Sequence, residues 1–187
     1  ESVARVLAER GVKSLVVDPV VRSTSGFDLI DDAALQAVIE KLFPLATVIT
    51  PNIPEAERIA KITIASSGDI SAAAQIMQGL GAKNVLIKGG HGTNAEAGKA
   101  IDYLFTGDSV ERFEADFIDT TATHGTGCTL AAAIAANLGL GFDLSESVRI
   151  SKGFVTEAIR TAPMIGNGNS PINVEQAFQP VHPDARN

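Results

Sequence analysis

Between Asp119 and Leu130 the chain reads Asp-Thr-Thr-Ala-Thr-His-Gly-Thr-Gly-Cys-Thr-Leu, which sets an acid, an imidazole and a thiol around Gly125 and Gly127. The stretch runs into Thr129-Leu-Ala-Ala-Ala-Ile-Ala-Ala-Asn137, a segment of strong helix formers. A glycine-rich loop feeding a helix offers first-turn N–H groups without partners at the positive end of the helix dipole. Gly125 and Gly127 lack the Cβ atoms that would hold a bulky anion away, so the chemistry this end suits is phosphate binding. A Gly-x-Gly spacing alone also describes a plain turn beside a small buried thiol. The company of Asp119, His124 and Cys128 within ten residues favours the anion.

Three further groups of polar residues fall where short apolar runs stop. Asp18-Pro-Val20 follows Ser14-Leu-Val-Val, Thr50-Pro-Asn52-x-x-Glu55 follows Thr47-Val-Ile, and Lys88-Gly-Gly-His91 closes Asn84-Val-Leu-Ile. If those runs are parallel strands, an acid, an amide with a second acid, and a base all reach the rim where open α/β sheets bind ligands. Plain structural roles exist for each. Asp18 and Pro19 can end a strand, Asn52 can cap a helix with Glu55 at its acidic end, and Lys88 can be a surface charge. Independent accidents, however, would scatter over both rims.

The elements that would position these residues alternate between two periods. Val3, Val6 and Leu7 share a helix face that Gly11 ends, and Ser14–Asp18 reads as a strand buried on both faces. Asp31 or Asp32 can cap a helix striped by Leu35, Val38, Ile39 and Leu42 and stopped by Pro44. Thr47–Thr50 is a second strand, and helices over Glu55–Ile62 and Ser71–Leu80 lead to a third at Asn84–Lys88. Ala100–Phe105 and Val110–Phe117 form two more strands around Thr106-Gly-Asp. After the glycine-rich motif and its helix to Leu138, Asp143 with Glu146 makes the Asp form of a capping box for a last long helix. Strands separated by helices predict an α/β fold with a mainly parallel central sheet flanked by helices, in one domain over 1–187.

Composition narrows the function. The chain has 187 residues, 45% hydrophobic and 20% charged, enough for a substantial core. Its net charge of −7 disfavours nucleic acid and anionic membranes as partners. No apolar run approaches the ~18 residues of a membrane span. A single cysteine, Cys128, allows no internal disulfide and fits a cytoplasmic location. The P-loop signature Gly-x-x-x-x-Gly-Lys-Ser/Thr does not occur. No basic-then-apolar leader follows Glu1.

Asp119-Thr-x-x-Thr-His-Gly-Thr-Gly-Cys-Thr resembles the signature of hydroxymethylpyrimidine/phosphomethylpyrimidine kinases, the thiamine-biosynthesis branch of the ribokinase-like superfamily. Asp18-Pro-Val with Ser25-Gly26, Asn52-x-x-Glu55 and Lys88-Gly-Gly-His91 are similar to further segments of that family. The resemblance runs to about Pro163. It departs at Val21-Arg22, where Val-Met is usual, and at Gly166-Asn-Gly-Asn-Ser-Pro171, which lacks the two histidines of the family ending. It implies a ribokinase-like three-layer αβα fold, and family strands with acceptor-pocket residues ahead of Glu1.

The resemblance also implies roles. The Gly125, Thr126, Gly127 and Cys128 backbone forms an anion hole, with Cys128 as catalytic base; a thiol that only packs is the alternative. Lys88, Asn52, Thr120, His124 and Lys152 contact the nucleotide, Val20 contacts the acceptor, and Asp18 and Glu55 hold Mg²⁺. The last helix, through Val148, Phe154, Val155 and Ile159, supplies an adenine wall. The implied reaction is ATP- and Mg²⁺-dependent phosphorylation of a pyrimidine alcohol, hydroxymethylpyrimidine, and of its monophosphate, by a homo-oligomer such as a dimer. A pyridoxal-type kinase and a non-catalytic nucleotide-binding fragment are the other readings.

Overall fold

Helices α1 (Ser2–Glu9), α2 (Asp32–Leu42), α3 (Ile53–Ala60), α4 (Ser67–Gly79), α5 (Thr126–Gly139) and α6 (Leu144–Arg160) surround five strands. The strands are β1 (Val16–Val17), β2 (Val48–Ile49), β3 (Asn84–Lys88), β4 (Lys99–Thr106) and β5 (Ser109–Asp116). The computed structural model describes residues 1–21, 29–89, 98–163, 165 and 168–175. Arg22, Ser25, Gly26, Gly90, His91, Gly166 and Asn167, named above, lie outside them.

The sheet runs β1-β2-β3-β4-β5 and is mixed. β1, β2 and β3 are parallel, joined by crossovers through α2 and through α3 with α4, whereas β3, β4 and β5 are antiparallel neighbours. The hairpin follows from its connection. Thr106 pairs with Ser109, and the two residues between them, led by Gly107 at φ 57°, are too few for a crossover.

Alternation along the strands builds a core on each face. Val17, Ile49, Val85, Ile87 and Phe105 pack with Leu35, Ile39, Phe43, Ile59 and Met77 from the α2, α3 and α4 layer. Val48, Leu86, Leu104 and Phe113 point the other way, onto Leu130 and Ile134 of α5 and Val148 and Val155 of α6. The result is three layers, helices on either side of the sheet.

Several boundaries differ from expectation for local reasons. β1 keeps only Val16–Val17 in its ladder, opposite Val48–Ile49 of the equally short β2. α3 begins at Ile53, where Asn52 and Glu55 close a capping box, and α4 begins at Ser67, where Ser66 and Asp69 do the same. α5 begins at Thr126, drawing the Gly-Thr-Gly-Cys residues into its cap and first turn. Asp143 caps α6 through the Glu146 N–H at 2.8 Å, but the Glu146 carboxylate turns to Arg149 rather than completing the box. The expected apolar face of α1 forms but is not covered: Ala4 is buried, while Val3 is 65% exposed and Val6 44%. Among the described residues no helix is long and apolar enough to cross a membrane.

Because Ile134 is fully buried between the sheet and α6, Ile134→Ala should cost about 2–5 kcal/mol in a urea melt. A loss below about 1 kcal/mol would show that α5 is not anchored through this core.

Candidate functional site

The parallel half of the sheet gathers the strand-end residues. β1 runs into Asp18, β2 into Thr50 and Asn52, and β3 ends on Lys88, whose N–H donates to the Pro51 carbonyl at 2.9 Å. Lys88 Nζ donates to Asp18 Oδ1 at 2.8 Å, and Thr50 Oγ1 donates to the same oxygen at 2.9 Å. The ion pair is nearly out of water, its side chains 14% and 12% exposed.

The amino end of α5 meets this pair. Gly125 caps the helix at φ +88°, a conformation that suits glycine, and Thr126 N–H and Oγ1 both turn back to the Thr123 carbonyl. The N–H groups of Gly127 and Cys128 have no hydrogen-bond partner among the described residues. A Cβ on Gly127 would stand 3.2 Å from Lys88 Nζ and 3.5 Å from Asp18 Oδ2. An ammonium and two open N–H groups therefore share one corner, the geometry of an anion site.

Asn52 and Glu55 are locked to each other. Asn52 Oδ1 accepts from the Glu55 N–H at 2.9 Å, and Glu55 Oε2 accepts from the Asn52 N–H at 2.8 Å. Burial pushes the Glu55 carboxyl above the ordinary glutamate range, and the nearby Asp18 charge adds to the rise. The bond from the Asn52 backbone, the Lys88 charge and a bond from the Val21 backbone oppose it.

These residues open on one cleft of about 880 Å³. Asp18, Val20, Asn52, Glu55, Lys88, Thr120, Gly125, Thr126, Gly127, Cys128 and Lys152 all line it. His124 does not. It is exposed, and its backbone is held by Ser170 and Pro171. Of the apolar wall expected on α6, Val155 and Ile159 line the cleft with Lys152 and Thr156. Val148 instead lies fully buried in the core under α5, and Phe154 packs partly buried against that core and against Ala158 and Ile172.

Sequence reasoning passed over Asp102, and named Thr50 and Gly89 only as members of their motifs. Asp102 is buried on β4, its carboxylate accepting from Gly89 N–H at 3.0 Å and from Lys152 Nζ at 2.7 Å. The available signal was an acid inside the apolar run Ala100–Phe105. Gly89 is required by a close approach, since a Cβ there would sit 2.2 Å from the Ile101 carbonyl oxygen.

Asp18 and Glu55 bring carboxylate oxygens to a cleft large enough for a phosphate ligand. Among the described residues no cluster of three or more His, Cys, Asp or Glu could hold a metal by itself. Magnesium suits such a place, since it takes one or two carboxylates and completes its shell with water and phosphate oxygens.

Comparison with known proteins finds that the chain is similar to kinases in sequence and fold. The phosphomethylpyrimidine kinase family model matches residues 1–173. The chain is 44% identical over 172 residues to the thiamine biosynthesis bifunctional protein ThiED of Geobacter sulfurreducens, covering 92% of this chain and 34% of that protein. It is 42% identical over 174 residues to a hydroxymethylpyrimidine/phosphomethylpyrimidine kinase of Staphylococcus aureus, covering 92% and 62%. The structure of phosphomethylpyrimidine kinase from Clostridium difficile superposes with a TM-score of 0.69 at 39% identity, over 84% of this chain and 62% of that one. Pyridoxal kinase from Staphylococcus aureus in complex with AMP-PCP and pyridoxal superposes with a TM-score of 0.81 at 30% identity, over 92% and 61%. The chain thus spans about three fifths of the length of these kinases.

The raised Glu55 pKa has a defined sign. Its folded-state value lies above the unfolded one, so its contribution to stability is fully present below pH 4.5 and is lost as pH rises through the folded value. The stability of wild type relative to Glu55→Gln should therefore fall between pH 4 and pH 7.5 in parallel urea melts, and a relative stability that stays flat or rises would contradict the assignment.

Proposed function

The chain belongs to the phosphomethylpyrimidine kinase family, and from that premise we propose that its cleft transfers the γ-phosphoryl group of ATP to hydroxymethylpyrimidine or its monophosphate. The observation that carries the reading is the corner where Lys88 Nζ meets the open N–H groups of Gly127 and Cys128. Donors fixed in advance around a transferring phosphoryl group stabilise the charge spread over its oxygens, the main task of a phosphotransferase. Asp18 and Glu55 would hold Mg²⁺, which when bound neutralises phosphate charge. Asn52 orients Glu55 through the capping box.

Cys128, exposed in the first turn of α5, serves as the base in this reading. Its thiolate takes the proton of the acceptor hydroxyl while that oxygen bonds to the γ-phosphorus and the bond to the ADP oxygen breaks. In this reading Thr120 and Lys152, with Val155 and Ile159, serve the nucleotide and Val20 the acceptor; all five line the cleft. The pyridoxal kinase likeness supports a second reading, in which the same machinery phosphorylates a pyridine alcohol. Mass analysis of products from a mixture of hydroxymethylpyrimidine and pyridoxal separates the two, and calorimetry with a non-hydrolysable ATP analogue and Mg²⁺ tests the kinase reading itself. No binding of the analogue would end that reading.

Gly127→Ala would push its methyl against Lys88 Nζ while adding a better helix former. The melting temperature should hold or rise slightly as affinity for the ATP analogue drops severalfold; parallel losses would argue that Gly127 only shapes the fold. Cys128→Ser keeps the size but replaces the sulfur with a hydroxyl oxygen. Turnover should fall about tenfold or more with the analogue bound as before, and turnover unchanged across pH would exclude the base role.

A further inference from the structure

Asp102 takes no part in the phosphate chemistry above, yet both its oxygens are engaged in a place where burial is nearly complete. One accepts from the Gly89 N–H at 3.0 Å and the other from Lys152 Nζ at 2.7 Å, with 5% of the residue exposed. An acid is kept in such a place only when its lone pairs are satisfied, and it then fixes whatever satisfies them. What it fixes is the exit of β3. Gly89 follows Lys88 directly, and Asp102 is also the β4 partner of Lys88 in the ladder.

The exit is tight on its other sides as well. Lys88 N–H is tied to Pro51, and Gly89 runs so close to the Ile101 carbonyl that a side chain has no room. From this anchored backbone the Lys88 side chain reaches to within 2.8 Å of Asp18 and beside Gly127. A displacement of the strand end would carry the ammonium away from the open N–H groups, and misplacements of about 1 Å can cost 10²-fold in such sites.

We infer that Asp102 is a positioning residue for the phosphate-binding lysine: through the Gly89 N–H it holds the β3 exit, and so Lys88, and through Lys152 it ties that exit to α6. The inference rests on the kinase reading for what Lys88 binds. The rival is that Asp102 serves only to neutralise a buried Lys152.

The two bonds can be separated by mutation. Lys152→Met removes the ammonium. In that background Asp102→Asn keeps an acceptor oxygen for Gly89, whereas Asp102→Leu removes it, and neither leaves a buried charge unpaired. Calorimetry with a non-hydrolysable ATP analogue and Mg²⁺, beside thermal melts, should find the leucine form binding about tenfold or more weakly than the asparagine form. Adding Lys88→Met to both should close that gap, which a general structural defect would leave open. Equal affinities in the first pair, or a gap that persists without Lys88, would overturn the positioning role. If the leucine form does not melt cooperatively, Asp102→Ala takes its place under the same criterion. A wild-type chain that fails to bind the analogue removes the kinase reading and this inference together, whereas binding with equal affinities removes this inference alone.

Discussion

The site is governed by the burial of an ion pair against the open end of a helix. Asp18 and Lys88 are almost out of water, and each offsets the cost of burying the other. Their meeting demands that the first and third parallel strands end at one level and that nothing occupy the space beside Gly127. The sheet meets the first demand through ladders joining β1 to β2 and β2 to β3, with Thr50 between them donating to Asp18. Glycine meets the second. Much of the surrounding structure then follows: an αL cap at Gly125 aims α5 at the pair, and the α5–α6 core holds that aim.

Two kinds of glycine do different work here. Gly125 is needed for its dihedral, at φ +88° with nothing crowding its α-carbon. Gly89 and Gly127 are needed for room, one against the Ile101 carbonyl and the other against the Lys88 ammonium. Backbone freedom shapes the loop, while the missing Cβ lets polar groups converge. The mixed sheet adds a further constraint, because the β4–β5 hairpin carries Ala100, Asp102, Ala115 and Asp116 to the cleft as a wall facing α6.

What the sequence made legible was whatever local rules control. β3 runs over Asn84–Lys88 as its apolar run indicates, and the caps at Asp31, Asn52 and Asp143 are those the residue types suggest. Strand ends and the glycine loop therefore located Asp18, Asn52, Glu55, Lys88 and Gly125–Cys128 on one rim, because each position follows from its own strand or helix. Less legible was anything decided by a distant partner. The Asp102–Lys152 pair joins residues on β4 and α6, and no local pattern marks either as a partner. Val148 and Val155 are both apolar on one helix and both belong to its core, but only the packing against β4 and α5 decides that Val155 alone of the two also reaches the cleft. His124 belongs to the motif by sequence yet sits outside the cleft, since the chain turns at Gly125 after presenting its backbone to Ser170.

The charges lining the cleft bear on how a polyanion could enter it. Asp18, Glu55, Glu57, Asp102 and Asp116 line it against Lys88, Arg58 and Lys152. Both lysines are already matched, by Asp18 and by Asp102, and Arg58 pairs with Asp32. The described residues thus leave no surplus of positive side-chain charge for a triphosphate; backbone N–H groups contribute only partial charge. On the proposed reading, attraction would come from a cation that arrives with the ligand, and the acids that would repel a bare phosphate would serve as its ligands. The same arrival lowers the cost of ionising Glu55, whose burial otherwise favours the neutral form. An acidic cleft with two neutralised lysines is therefore consistent with a nucleotide site, provided that phosphate and divalent cation bind as one unit.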